Sequence, residues 1–295
     1  MKSASRTAVL LLAVAFVTVL LLMPLPFDAA IRRWPKLAYD VENFAHPIVF
    51  AILASLLFHR LRMQWPLPSH KPWLVTLSSA TLFGAATEVT QWFVGRDASL
   101  IDLVNDVLGA SFALLCWAWL ELPVKRQRQL PGYGLAASAL ALLAFITAPL
   151  ALTVAGYAYR ATGTPVLFES RSLLYLPFYR RIEGAYPGIS LWDFRRDWRE
   201  YGELVLRIRN LLDEQSAVIV SVQDWRGSFL RQARFETTYS LGPLADEEIR
   251  IPMKQIQNLP SGYQVDLSAI HGLLVLQYPG HAKLTFRIRE IRLVR

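Results

Sequence analysis

Cysteine is almost absent: Cys116 is the one thiol in 295 residues. No intrachain disulfide can form, so any part of the chain that faces an oxidising compartment holds itself together by its core. Charge is sparse too, at 18% of residues, against about a quarter in an ordinary soluble chain. There is no phosphate-cradling glycine loop, no His-x-x-x-His spacing, no Gly-x-Ser-x-Gly setting around Ser99, no internal repeat and no low-complexity segment. Phosphate-loop, paired-histidine zinc and serine-nucleophile chemistry therefore have no motif, and no cofactor is expected. What fills the chain instead is apolar: 54% hydrophobic residues and a mean hydropathy of +0.30 imply a membrane part. In such a chain the formal charge of +8 reports first on which loops stay in the cytoplasm, and no nucleic-acid partner is expected.

Five apolar runs are long enough, or nearly so, to cross a hydrocarbon core of about 30 Å at about 1.5 Å per residue. They are Thr7 to Leu25, Phe44 to Phe58, Trp73 to Val94, Leu100 to Leu120 and Tyr133 to Tyr157. The first exceeds the apolar stretch of a signal peptide and has no small-x-small cleavage site before Pro24, which favours a retained helix. His59, Arg60, Arg62 and Lys71 lie between spans two and three, and Lys125, Arg126 and Arg128 between four and five. Both loops are expected in the cytoplasm, with the N-terminus inside and the chain after Tyr159 outside. Arg32, Arg33 and Lys36 run against that rule on the outer side, diluted by Asp28, Asp40 and Glu42.

After Arg160 the periodicity changes to that of strands, at Glu203 to Arg209, Ala217 to Val222, Arg231 to Phe235, Glu248 to Pro252, Gly272 to Gln277 and Leu284 to Leu293. The fold class expected is a multi-pass α-helical membrane bundle of about five transmembrane helices followed by an all-β jelly-roll sandwich. The expected organisation is 1–130 for a four-helix bundle, 131–160 for a fifth helix and linker, and 161–295 for the β domain. At roughly 135 residues that domain can bury a core without staples.

The polar residues inside the apolar runs carry the functional question, because a charge in a span costs a few kcal/mol unless it is paired or used. Glu88 and Gln91 share one helix face at a spacing of three. Asp102 and Asn105 repeat that spacing on the next helix, with Asp106 one turn from Asp102 and Gly109 beyond. Gly95 to Ser99 is only a tight turn, so the two helices are antiparallel neighbours with Arg96 in reach of their carboxylates. His46 falls at the same level on the second span. One reading is glue, with interhelical hydrogen bonds and Gly109 permitting close contact; Ser99 or Asp102 can also cap the fourth span. The other is a proton-handling or anion-binding site. His46, Glu88 and Asp102 would bring a metal only one nitrogen, so no metal is expected.

The ordered set His46, Glu88-x-x-Gln91, Gly95-Arg96, Ser99, Asp102, Asn105 and Gly109 resembles the VanZ-like family of bacterial membrane proteins over roughly residues 10 to 120. The aspartate–lysine pair associated with the approach to His46 in that family is absent. The resemblance implies a cell-envelope protein of the bacterial inner membrane, in a family named for a member linked to glycopeptide resistance, and supplies no reaction. The C-terminal part is similar to galactose-binding-like jelly rolls of carbohydrate-binding modules, on the segments Leu204 to Asn210, Val218 to Asp224, Phe235 with Leu241, Ile249 to Met253 and Val265 to Ile270. Trp225, Tyr239, Trp192 and Tyr186 are its candidates for stacking on a sugar, while Asp193, Arg195 and Arg196 read as a solvated turn.

The expectation is then an outer-leaflet site that recognises or processes a lipid-linked or anionic glycan headgroup. If it is catalytic, Glu88 or Asp102 serves as base, His46 as acid–base partner and Arg96 as anion clamp, with Gln91, Ser99 and Asn105 binding ligand. The expected partners are membrane lipid or lipid-linked glycan and carbohydrate. The alternative is a non-enzymatic, membrane-anchored module that binds carbohydrate or protein. The sequence sets neither an activity nor an oligomeric state.

Overall fold

Proline opens the first described helix. Pro35 sits at the start of α1 (Pro35–Arg62), where its missing N–H is no loss. The helix therefore begins well before the apolar run at Phe44. The computed structural model describes residues 34–65, 70–93, 98–161, 165–191, 196–227, 230–278 and 284–295; the expected first span, Thr7 to Leu25, lies outside them. Then come α2 (Lys71–Phe93), α3 (Leu100–Glu121), the short α4 (Val124–Gln127) and α5 (Leu130–Ala161). Among the described residues three helical stretches are long and apolar enough to cross a membrane: Pro35–Arg62, Leu100–Glu121 and Leu130–Arg160. Ser78, Ser79 and four threonines make α2 more polar. Three of those threonines return their hydroxyls to its own carbonyls: Thr81 to Leu77 at 3.0 Å, Thr87 to Gly84 at 2.7 Å and Thr90 to Ala86 at 2.8 Å. Groups satisfied within the helix are tolerated in an apolar setting.

The chain divides into two compact units, Met1–Ala151 and Leu152–Arg295. In the first, α1, α2 and α3 enclose a core of Phe50, Leu53, Ala54, Ala80, Ala110 and Ala113. Arg62 grips Glu121 with two hydrogen bonds of 2.6 and 3.0 Å, joining the C-terminal ends of α1 and α3.

The second unit contains the last turns of α5 and two antiparallel sheets. One is ordered β1 (Val166–Glu169), β9 (Phe286–Val294), β4 (Glu203–Asn210), β7 (Asp246–Pro252); the other is ordered β2 (Tyr179–Ile182), β3 (Gly188–Leu191), β8 (Ile270–Gln277), β5 (Ser216–Asp224), β6 (Arg234–Leu241). Alternation explains the shared core: Leu204, Leu206 and Ile208 from β4 and Val218, Val220 and Val222 from β5 are fully buried in a single cluster. Trp198, fully buried just before β4, belongs to it. The buried Asn210 donates to the carbonyls of Glu214 and Gly242, both at 2.8 Å, and accepts from the Leu212 N–H at 3.1 Å. It thereby ties the β4–β5 turn to the β6–β7 turn. Strands β1, β2 and β3, not anticipated from pattern, are four residues each, too short to display alternation.

Candidate functional site

The helical unit gathers its buried polar groups near one end of α1, α2 and α3. Glu88 and Gln91 lie in the last two turns of α2, and Asp102, Asn105 and Asp106 in the first two of α3. Because α3 must start where α2 has just ended, the two sets lie at the same end of their helices. The join between them is a shared cap. Ser99 is the N-cap of α3 and accepts the Asp102 N–H at 3.3 Å, while its own N–H donates to Glu88 Oε2 at 2.5 Å. One carboxylate on α2 thus fixes the entry of α3.

The centre of the cluster is a pair. His46 Nδ1 on α1 lies 2.9 Å from Asp106 Oδ1 on α3, with the histidine side chain 6% exposed and the aspartate fully buried. Glycines make the approach possible. A Cβ on Gly109 would run into the backbone of Pro47, the residue after His46, and one on Gly84 would stand 2.8 Å from Asp106 Oδ2. So α3 meets the α1 backbone at Gly109, and α2 meets Asp106 at Gly84. Gly109→Ala is expected to force α3 away from α1, destabilising the helical unit by about 1–3 kcal/mol. Equilibrium unfolding in mixed micelles measures it, and a loss below about half a kcal/mol would contradict the close approach.

Around that pair, Glu88 and Asp102 lie within electrostatic reach of His46, and Glu42 within reach of Asp102. Glu88 and Gln91 are buried, whereas Asp102 and Asn105 are half-buried. Earlier on α1, nearly three turns before His46, Lys36 forms an ion pair with the buried Asp40. A cation thus stands at this approach, four residues before the aspartate and not adjacent to it. Arg96 lies outside the described residues. Of the residues singled out from sequence, the structure brings together His46, Glu88, Ser99 and Asp102. It adds Asp106 as the direct partner of His46. Its signal was the spacing of four from Asp102, which puts both on one face. Among the described residues no three His, Cys, Asp or Glu side chains converge to hold a metal ion.

What can such an arrangement do? A histidine against a buried carboxylate, with two more carboxylates beside it, can hold or relay a proton, and it can orient the ring toward a group entering from the half-buried side at Asp102. Interhelical fastening uses the same bonds, and the Arg62–Glu121 pair performs that task at the other end.

The β unit carries a second candidate surface at the loop after β5. Trp225 is 61% exposed and meets His271 edge-on, with ring centroids 5.2 Å apart. The loop is pinned by the buried Asp224, which accepts the Gly227 N–H at 2.9 Å, the Tyr263 hydroxyl at 2.8 Å and the Asp266 N–H at 3.0 Å. Tyr186 is also exposed, Tyr239 is half-buried against the core, and Trp192, Asp193 and Arg195 lie outside the described residues. Burial alone would raise the Asp224 carboxyl; the N–H groups of Asp266 and Gly227 and the Tyr263 hydroxyl outweigh it and hold the group below its ordinary value. Stability from a depressed carboxyl is present above the unfolded value of about 3.9 and is lost as the pH falls through the lower folded value. Asp224→Asn is expected to cost the β unit about 1–3 kcal/mol at neutral pH and to flatten the acid limb of its thermal unfolding curve. An unchanged acid limb would contradict this.

Residues 3–121 match the family model described as VanZ/LLP1. No curated protein matches the chain. Among solved structures the C-terminal part is similar to an exo-β-agarase, at 17% identity over 38% of this chain and 18% of that one, TM-score 0.31. It is also similar to a family 11 carbohydrate-binding module from Clostridium thermocellum in complex with a β-1,3-1,4-mixed-linked tetrasaccharide, at 14% identity over 39% and 74%, TM-score 0.28. A family 30 carbohydrate-binding module matches at 12% identity over 46% and 89%, TM-score 0.28. The chain spans less than a fifth of the agarase, and likenesses at this level decide no ligand.

Proposed function

We propose that the chain is a VanZ-like bacterial cell-envelope protein of five spans, whose polar cluster recognises or processes the anionic headgroup of a lipid-linked glycan. The observation that carries this reading is the buried His46–Asp106 pair with Glu88 and Asp102 beside it, drawn from three helices. Fastening alone needs fewer charges, since each unused carboxylate in an apolar bundle costs a few kcal/mol. In this reading His46 is the acid–base group oriented by Asp106, and Asp102, on the half-buried side, or Glu88 is the base. Gln91, Ser99 and Asn105 line the site, and Arg96 clamps the anion. The basic loops at His59 to Lys71 and Lys125 to Arg128 set the N-terminus in the cytoplasm and the β unit, a galactose-binding-like jelly roll, on the outer side.

Single replacement of Glu88, Arg96 and Asp102 by alanine tests it. The expected result is a folded protein that no longer retains an anionic headgroup and no longer supports the envelope phenotype. Normal retention and phenotype in all three would remove the proposal. A second reading rests on Trp225, exposed on a pinned loop: a non-enzymatic anchor whose β unit binds glycan or protein. A glycan array probed with the full chain in nanodiscs separates the two. Binding abolished by Trp225→Ala, and untouched by Glu88→Ala, favours the anchor.

A further inference from the structure

We infer that the β unit binds a phosphate of the bilayer surface through an arginine cleft between its sheets, with the turn Leu173–Phe178 seated among the lipid headgroups. The cleft, about 590 Å³, is lined by Arg171, Arg181, Arg209, Arg287 and Arg289 and by no acidic residue. Its arginines differ from their neighbours on the same sheet. Arg207 and Arg250 are satisfied by Glu248 at 2.9 and 2.6 Å, and together they hold that carboxyl below its ordinary value. In the cleft Arg289 is taken by Asp246 at 2.6 Å. Arg171, Arg181, Arg209 and Arg287, by contrast, form no ion pair among the described residues, although Arg209 stands opposite Asp246 of β7, whose carboxylate Arg289 takes, and Arg171 also borders an acidic cleft with Glu169 and Glu290. Arg209 of β4 and Arg287 of β9 are direct cross-strand partners. Like charges placed opposite each other destabilise a sheet. A bound anion reverses that penalty, and guanidinium forks fit phosphate oxygens two at a time.

The bilayer is the source of the phosphate because the cleft adjoins the point where α5 leaves it. A helix of 32 residues is about 48 Å long against a hydrocarbon core of about 30 Å. With the core crossed from near Tyr133, the last turns, from about Leu152, stand at headgroup depth or beyond. Those turns carry Tyr157, Tyr159 and Arg160, side chains suited to that depth. The 3₁₀ turn Leu173–Phe178 packs on them: Phe178 lies edge-on to Tyr157 at 5.1 Å and under the Arg160 guanidinium at 3.4 Å, and Tyr175 lies edge-on to Tyr159 at 6.1 Å. From Tyr175 the rings continue through Phe168 to Tyr179, both lining the cleft. The same turn leaves Leu173 65% and Leu176 45% exposed, between Arg171 and Arg181 in the chain. Exposed leucines bracketed by arginines, beside the end of a membrane helix, are the composition of an interfacial contact.

The inference rests on the β unit and is independent of the helical cluster. Its test uses the full chain in nanodiscs of phosphatidylcholine with and without phosphatidylglycerol, read by hydrogen exchange of residues 166–182 and by the lipid retained in native mass spectrometry. Phosphatidylglycerol is expected to protect the segment and to be retained preferentially. Arg209→Gln with Arg287→Gln, both on exposed strand positions, is expected to weaken retention about fivefold per arginine without lowering the thermal unfolding temperature. Leu173→Ser with Leu176→Ser is expected to lower protection in both lipids. Equal protection with and without phosphatidylglycerol, or retention unchanged in the arginine variant, overturns the inference. So does protection by inorganic phosphate alone in phosphatidylcholine discs, which would make the ligand a soluble phosphate.

Discussion

Replacing His46 by alanine is expected to cost the helical unit about 3–5 kcal/mol, the range for breaking a buried charged pair by removing one partner. The reciprocal Asp106→Ala should cost less, about 1–3 kcal/mol. The difference follows from what each variant leaves behind. Without His46, a fully buried carboxyl is left among the like-charged Glu88 and Asp102 and must take up a proton or stand as an unpaired charge. Without Asp106, the imidazole can give up its proton and stay buried as a neutral ring. The double variant should therefore cost less than the sum of the singles, by about 1–3 kcal/mol of coupling. Equilibrium unfolding of the four proteins in mixed micelles gives the cycle. Additive losses would mean that the two side chains do not act on each other, and a smaller loss for His46→Ala than for Asp106→Ala would contradict the account of what each variant leaves behind.

The second large effect belongs to the β unit. Trp198 is the largest of its fully buried side chains and contacts the shared core from the segment preceding β4. Its backbone N–H donates to the Leu267 carbonyl at 2.7 Å, binding that segment to the stretch before β8. Trp198→Ala removes the ring and leaves a cavity between sheets that have few other ways to close it, at a cost of about 3–5 kcal/mol. With no disulfide in the chain, nothing covalent offsets that loss. Exchange of the β4 and β5 amides should then quicken together. A loss under about 1 kcal/mol would show that Trp198 does not brace the two sheets.

How much of this was legible beforehand can be followed on individual residues. The strands β4, β5, β7, β8 and β9 announce themselves through short apolar runs and alternation, as where Leu206 and Ile208 alternate with the exposed Arg207 and Arg209. Strands β1 to β3 do not, since four residues fit a turn as well as a strand. In the helical unit the faces were readable and the depth was not. A spacing of four places Asp102 and Asp106 on one stripe, and either can meet a histidine on a neighbouring helix. Which one does depends on how far α3 is shifted along α1, and that shift is set where Gly109 touches Pro47, a contact between residues far apart in sequence. By pattern Lys36 belongs to a loop that opposes the charge rule; it is the ion-pair partner of Asp40 because α1 begins at Pro35 and brings the two within about one turn. The arginine cleft was hidden for the same reason: Arg171, Arg181, Arg209 and Arg287 meet only after the sheets have formed.

The claim that the buried polar groups serve a ligand, and not only the bundle, is tested most directly by native mass spectrometry of the full chain purified from its own membrane. The account predicts a co-purifying lipid-linked anionic glycan on the wild-type protein that is lost from folded Glu88→Ala and Asp102→Ala. A wild-type protein that carries no such species, or variants that carry it equally, would contradict it.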